Sequence, residues 1–473
     1  MSARRKHLKA NLVALLLVFA AGCSTVPERD AKRLDMPVPA RWASDGGFAD
    51  QASTAWLEAF ADSKLTVLVR DGLAANFDLK AAAARVDAAR EQAIIAGAPR
   101  WPQLYFAPGY LRGKDSSGEA GAFSALFNLG WELDVWGRIK ATQQATAREA
   151  DAVEGDYRAA QLSLAARIAQ AYFDLTEAQL QASVAEQSVK DRGVIADLVR
   201  GRFNKGLTRG LDLRLVLTDL ANAEAQLAQT RNDVQILARR LQNLLGRYPD
   251  GKWVASNGGA NDFAATSSQL ERATALPEPP KALAAGLPAE LLERRPDIVA
   301  AFTRLRAADS RLESAEKALL PRVTLTAAGG TSSPALTEMV DPRMVAWNLA
   351  AGLAQPLFTG DRLQGEIRFN EAKVKEAYNQ YQSVALNAFR EVEQALAAEA
   401  WLRNQERALR EAVEQTAASR KLAVYSYRQG LIEILTLLDS YRSTLNAQSA
   451  HLAVQRQLLN NRINLYLALG GAV

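Results

Sequence analysis

Phe203-Asn204-Lys205-Gly206-Leu207 opens a leucine-rich run that ends at Leu245-Gly246, and Tyr427-Arg428-Gln429-Gly430-Leu431 opens another that ends at Leu469-Gly470. The offset between the copies is the same at both ends. Further out, Trp101-Pro102 precedes one strand-like run and Leu320-Pro321 precedes another. Trp131-Glu132-Leu133-Asp134-Val135-Trp136-Gly137-Arg138 recurs as Leu353 to Arg362, with Pro356-Leu357-Phe358-Thr359-Gly360 at its centre. The chain is therefore two copies of a strand–strand–long helix–helix unit. Neither copy shows the pattern of a globular core, so each reads as a wall element of something larger.

Four runs alternate with period two, at about 103–112, 122–133, 322–329 and 345–357. From Gly121, Phe123, Ala125, Phe127, Leu129, Trp131 and Leu133 share one face, and Ser124, Asn128, Gly130 and Glu132 the other. Apolar residues on one side and small or polar ones on the other mark a barrel strand. A half-buried sheet in a soluble domain alternates the same way, so the strands alone leave both readings open. No stretch after residue 22 has the roughly 18 apolar residues of a spanning helix. Any crossing of a membrane is therefore by strands. Four strands cannot close a barrel, and an open edge in lipid leaves backbone groups unpaired. Three copies give twelve strands; two give eight, with too little lumen for a wide conduit.

The helical runs carry the rest of the length. Leu164, Ile168, Ala171, Leu175, Ala178, Ala182, Ala185 and Val189 follow a 4–3 spacing. That is a coiled-coil seam, with alanines allowing close approach. Leu213, Leu220, Leu227, Val234 and Leu241 repeat every seven residues, as do Leu438, Leu445, Leu452, Leu459 and Tyr466. Long helices are expected over 139–200 and 365–428, and shorter ones over 211–246 and 431–469. About 60 residues at 1.5 Å each reach roughly 90 Å, longer than a globular core requires. Further short helices are expected over 78–98 and 296–320; stacked end to end, two short helices match one long one. The fold class is mainly α with a membrane β-barrel portion. The expected shape is a trimeric twelve-stranded barrel continued by a long coiled-coil helical barrel.

The N-terminus gives an address. Arg4, Arg5, Lys6 and Lys9 precede an apolar run from Leu12 to Ala21, followed at once by Gly22-Cys23-Ser24. This is a secretory signal over 1–22, with Cys23 where lipidation would fall. It is the chain's one cysteine, so disulfides contribute nothing. The expected domains are a lipid-anchored segment at 23–60, a first repeat at 61–246, an equatorial connector at 247–288 and a second repeat at 289–473.

The net charge of +5 falls to about +1 without the four basic residues of the signal, which removes a charge-based case for nucleic acid. Of two histidines, His7 is in the signal and His451 stands alone on a helix. There is no cluster with metal-ligand spacing, no phosphate loop and no nucleophile elbow. The expectation is no enzyme, no cofactor and no metal.

Taken together, the lipidation signal, the duplicated unit, the two hinges at Trp131–Arg138 and Gln355–Arg362, and the Gly206-Leu207 and Gly430-Leu431 turns resemble the TolC-like outer membrane factor family, and its lipoprotein branch above all. The likeness runs from about Trp56 to the C-terminus. It implies an outer membrane channel of a tripartite efflux pump, extending into the periplasm. It also implies a homotrimer anchored in outer membrane lipid, with a periplasmic adaptor protein and an inner-membrane transporter of the RND type as partners. Carried onto this chain, Gly206, Leu207, Gly430 and Leu431 become adaptor-docking tips. Tyr427, Arg428, Leu435 and Asp439 become the periplasmic gate, with Asp212 as the first-repeat counterpart. Two alternatives stay open on sequence alone: the same duct serving type I protein secretion, and a lipid-anchored periplasmic spacer with no pore.

Overall fold

The computed structural model describes residues 29–44, 56–115, 118–251, 275–280 and 287–471. Cys23 and the signal lie outside the described residues, as does much of the expected connector. The chain divides into two compact units. One takes Ala84–Gly155 and Asp297–Val384 with the N-terminal stretch to Asp35; the other takes Met36–Ala83, Asp156–Pro296 and Ala385–Val473.

Eight α-helices and four strands make up the described chain: α1 (Ser63–Ala75), α2 (Phe77–Gly97), β1 (Gln103–Asp115), β2 (Gly118–Leu133), α3 (Arg138–Asn204), α4 (Gly210–Leu244), α5 (Pro288–Arg294), α6 (Pro296–Lys317), β3 (Arg322–Ser333), β4 (Val345–Ala354), α7 (Arg362–Arg428) and α8 (Ile434–Ala468). The duplication is metrically close: α3 and α7 are both 67 residues, and α4 and α8 both 35. No described helix is long and apolar enough to cross a membrane.

In the first unit the strands form one antiparallel sheet in the order β1-β2-β3-β4. Its register places Phe106, Phe127, Gly329 and Trp347 in one row, and Leu104, Leu129, Ala327 and Leu349 in the next on the same face. Tyr105, Asn128, Ala328 and Asn348 make a row of the opposite face. A one-residue slip would exchange the faces, so the apolar pattern fixes the pairing. Aromatic pairs reinforce it, with Phe106 and Phe127 5.0 Å apart and Tyr110 and Phe123 4.5 Å apart. The outer edges of β1 and β4 have no strand beside them among the described residues, and β4 is exposed throughout.

The turns from strand to helix are stapled. Asp134 caps α3 by accepting from the N–H groups of Ile139 (2.9 Å) and Lys140 (2.7 Å). The Trp136 indole N–H donates to the Pro321 carbonyl at 2.7 Å, and that of Trp131 to Arg100 at 2.9 Å. β4 ends at Ala354, short of the expected 357, because Gln355 turns its amide onto the Leu319 carbonyl (2.9 Å) and Pro356 has no N–H for a ladder. α6 likewise stops at Lys317, three residues before the expected 320.

The second unit corrects the expectation that neither repeat has a core. Trp56, Leu57 and Phe60, with Leu65, Leu68 and Val69 of α1, pack on Ile168 and Phe173 of α3, Leu241 of α4, and Leu459, Ile463 and Tyr466 of α8. Trp56 stacks on Tyr466 at 5.7 Å. α1 starts at an Asp62 cap, buries Leu65, Leu68, Val69 and Gly72 along one face, and was not foreseen. The α3 seam is mostly buried as spaced, with Ile168 at 0% exposure and Ala171 at 1%. Leu213 and Leu220 are only half-buried, packed at the border of the cluster around Val216 and Tyr427.

Candidate functional site at the helical tips

Both long helices end in the same backbone device. Gly206 (φ +70°) donates its N–H to Phe203 and Leu207 donates to Arg202, both at 2.9 Å. Gly430 (φ +75°) donates to Tyr427 at 3.0 Å and Leu431 to Ser426 at 2.9 Å. A left-handed glycine lets the last carbonyls be satisfied while the chain reverses. The same pattern closes α4 at Gly246 and α8 at Gly470. The environments differ. A Cβ at Gly206 or Gly430 would meet nothing within 4 Å, whereas one at Gly246 would sit 2.8 Å from the Ala75 carbonyl oxygen. The tip glycines are thus bare on their outer side, as Leu207 and Leu431 are exposed.

Behind the turns, the ends of α3, α4, α7 and α8 share one apolar cluster: Ile195, Ala196 and Val199, Val216, Tyr427, then Ile434 and Leu437. Tyr427 lies in this cluster at 6% exposure, with the Arg202 guanidinium 5.5 Å over its ring. Burial raises its phenol pKa, and Arg202 opposes the rise. Tyr427 therefore braces the tip from within the single chain. Asp212 is also engaged. Its Oδ2 accepts from the Thr208 hydroxyl at 2.7 Å and from the Arg209 N–H at 3.4 Å, in the first turn of α4, where a carboxylate suits the helix dipole. Arg428 is exposed.

Leu435 and Asp439 are one turn apart on α8 and both exposed. They line a shallow groove with Leu438 and Arg442 of α8 and Leu215, Thr218, Asp219 and Asn222 of α4. Asp439 is ion-paired with Arg442 three residues on, so its charge is partly balanced on its own helix.

Sequence reasoning missed a further set of charges. Adjacent residues of α3, Asp191 and Arg192, reach two other helices. Asp191 accepts from Arg420 of α7 at 2.7 Å, and Arg420 lies 5.2 Å over the Tyr441 ring of α8. Arg192 is buried and pairs with Asp219 of α4 at 3.1 Å. Burial pushes the Asp219 carboxyl up, against Arg192 and Arg442. The adjacent charges are visible in sequence, but their partners are identifiable only once the helices are placed. His451 is not solitary: its Nε2 lies 2.9 Å from Glu406 of α7, which also takes Arg410.

With the tips and their duplication in view, the family is decided by one match. The outer membrane efflux protein model covers residues 68–247 and 287–471, one segment per repeat. The chain belongs to the outer membrane efflux protein family. It is 30% identical over 448 residues to the pyoverdine export outer membrane protein OpmQ of Pseudomonas putida, covering 92% of each chain. It is 29% identical over 476 residues to the cation efflux system protein CusC of Escherichia coli K12, covering 97% of this chain and 98% of that one. Among solved structures, the outer-membrane channel OprN superposes with a TM-score of 0.85 at 25% identity, over 95% of this chain and 99% of its own. CusC superposes with a TM-score of 0.82 at 27% identity, over 95% and 100%. The fold is that of these channels. This outer membrane efflux protein works at the outer membrane, as an efflux component of a family whose members are channels, not enzymes.

Proposed function

We propose that the protein is the passive exit duct of a tripartite efflux pump, a homotrimer whose sheets close a twelve-stranded barrel and whose helices continue it into the periplasm. One observation carries this reading most: a four-stranded sheet, largely apolar on one face, with two edges that are unpaired among the described residues. In lipid those edges must pair with another copy. Energy then comes from an inner-membrane transporter of the RND type through a periplasmic adaptor. The relatives named for pyoverdine export and for cation efflux differ in cargo, which suits a wide lumen that selects weakly.

In this reading Gly206, Leu207, Gly430 and Leu431 dock the adaptor, for which their bare outer sides are suited. Leu435 supplies an apolar constriction and Asp439 a charged ring around the axis. Arg442 tempers that ring, so its preference for cations is milder than three bare carboxylates would give. Cys23 carries the lipid; mass spectrometry of the mature chain should find it acylated and N-terminal, and a free N-terminus elsewhere would remove that assignment. The domain limits in this reading are an anchored segment at 23–60, repeats at 61–246 and 289–473, and a connector at 247–288. Single-channel recording in planar bilayers tests the duct itself.

A further inference from the structure

The internal duplication pairs each contact inside the chain with one that a single chain cannot make. In the first unit, the hinge after β2 meets the start of the second repeat: Trp136 donates to the Pro321 carbonyl, and Pro321 is buried. Pro102 is the first-repeat counterpart of Pro321, since each directly precedes its repeat's first strand. Pro102 is exposed, and Trp101 beside it is 71% exposed. Phe358 is the hinge aromatic of the second repeat, the counterpart of Trp136, and is 92% exposed, as is Leu357. The helices repeat the asymmetry. Seven residues into α3, Ala145 is 1% exposed; seven residues into α7, Phe369 is 61% exposed. Ser314 of α6, seven residues before Pro321, donates to the Arg138 carbonyl at 3.1 Å and lies 2.8 Å from the Thr142 hydroxyl of α3. Ile95, seven residues before Pro102, is exposed together with Ile94. Each bare half on the second repeat has its matching bare half on the first.

We infer that Leu357, Phe358 and Phe369 of one chain pack against Trp101-Pro102 and Ile94-Ile95 of a second copy, repeating between chains the Trp136–Pro321 and α3–α6 contacts made within one. The inference rests on the trimeric reading and adds the residues that form its seam at the strand-to-helix hinge. It commits to a second copy rather than to lipid, because the in-chain counterparts of these surfaces are covered by protein. Phe358 lacks an indole N–H, so the intermolecular version is an apolar and aromatic contact, without the hydrogen bond that Trp136 makes. With both partners bare in the single chain, burying them contributes to assembly and not to folding of the protomer.

The test is cross-linking between engineered cysteines in the full-length lipoprotein. Phe358→Cys combined with Trp101→Cys, treated with a short bismaleimide, should give covalent dimers and trimers on denaturing gels. The two single variants and the parent, which carries only Cys23, should give none. Phe369→Cys with Ile95→Cys is the second pair, should the first disturb assembly. Native mass spectrometry of the same samples separates the two claims. Three chains without cross-links from either pair would overturn the seam and leave the trimer standing, and transfer of a lipid photolabel to position 358 would point to membrane as the occupant. A single chain in the unmodified protein would overturn the trimeric reading itself.

Discussion

Removing Arg420 should loosen the tip without unfolding it. In the structure Arg420 joins the second helical pair to the first: its guanidinium donates to Asp191 at 2.7 Å and covers the Tyr441 ring at 5.2 Å. A charge-assisted hydrogen bond contributes about 1.5–3 kcal/mol. Both side chains are partly solvated, at 31% and 22% exposure, so the lower end applies. The cation–π contact adds about 0.5–1 kcal/mol. Arg420→Ala should therefore cost the tip packing seen here about 2 kcal/mol, which is about 30-fold in its ratio to a loosened, more open tip. On the tipward side of this pair, α3 and α7 meet through the apolar cluster and the Arg202–Tyr427 contact, so nothing else there replaces the lost ion pair among the described residues. The assay is open-state occupancy in planar bilayers for the parent, Arg420→Ala, Asp191→Ala and the double variant. The two single changes should raise occupancy by similar factors, and the double variant should add little, a coupling of about 1–2 kcal/mol. Unchanged occupancy in both single variants, or strict additivity in the double, would refute the reasoning.

Four further outcomes follow from the structure. Gly206→Trp and Gly430→Trp should cost only about 1–2 kcal/mol of left-handed strain, since nothing crowds the new side chain, yet should abolish adaptor-dependent drug resistance at normal abundance. Gly246→Ala should instead lower thermal stability more than either, because its Cβ meets the Ala75 carbonyl; equal melting shifts would count against this. Trp56→Ala, at the centre of the second unit's core, should destabilise the protomer by about 3–5 kcal/mol in a denaturation series, and a loss under 1 kcal/mol would mean the core is misassigned. Burial pushes the Glu406 carboxyl up, but donors from His451 and Arg410 outweigh it and hold the group below its ordinary 4.5. A depressed acid stabilises the folded state above its unfolded pKa and loses that contribution as pH falls through the folded value. Melting between pH 6 and pH 3 should therefore drop more steeply in the parent than in Glu406→Gln, and parallel curves would remove the role.

The repeat was legible because it is written in residues that backbone geometry demands. Gly206, Gly246, Gly430 and Gly470 stand where a helix must end in a left-handed residue, and Pro102 and Pro321 where a strand begins. The strand faces were legible because apolar positions alternate with small or polar ones along the strands. The tip chemistry was less so. Asp439 and Leu435 could be put on one face by spacing alone, but Arg442 changes what that face carries. The burial of Tyr427 was not legible, because a tyrosine beside a turn does not reveal which of four converging helices covers it. The pairing of Asp191, Arg192 and Asp219 left no signal, because ion pairs between helices distant in sequence have no period. The core around Trp56 was missed for a related reason: the seam residues of the long helix stand out by their spacing, but spacing does not reveal that Trp56, Phe60 and the α1 residues pack on them.

The duct is tested most directly by single-channel current through the purified, reconstituted Leu435→Ala protein beside its parent. Leu435 is exposed on α8 at the mouth of the groove, one turn from Asp439. Replacing it with alanine should widen the apolar constriction and raise resting conductance, with the parent's mild cation preference retained. Protein that is inserted and assembled, yet passes no current in either form, would contradict the account.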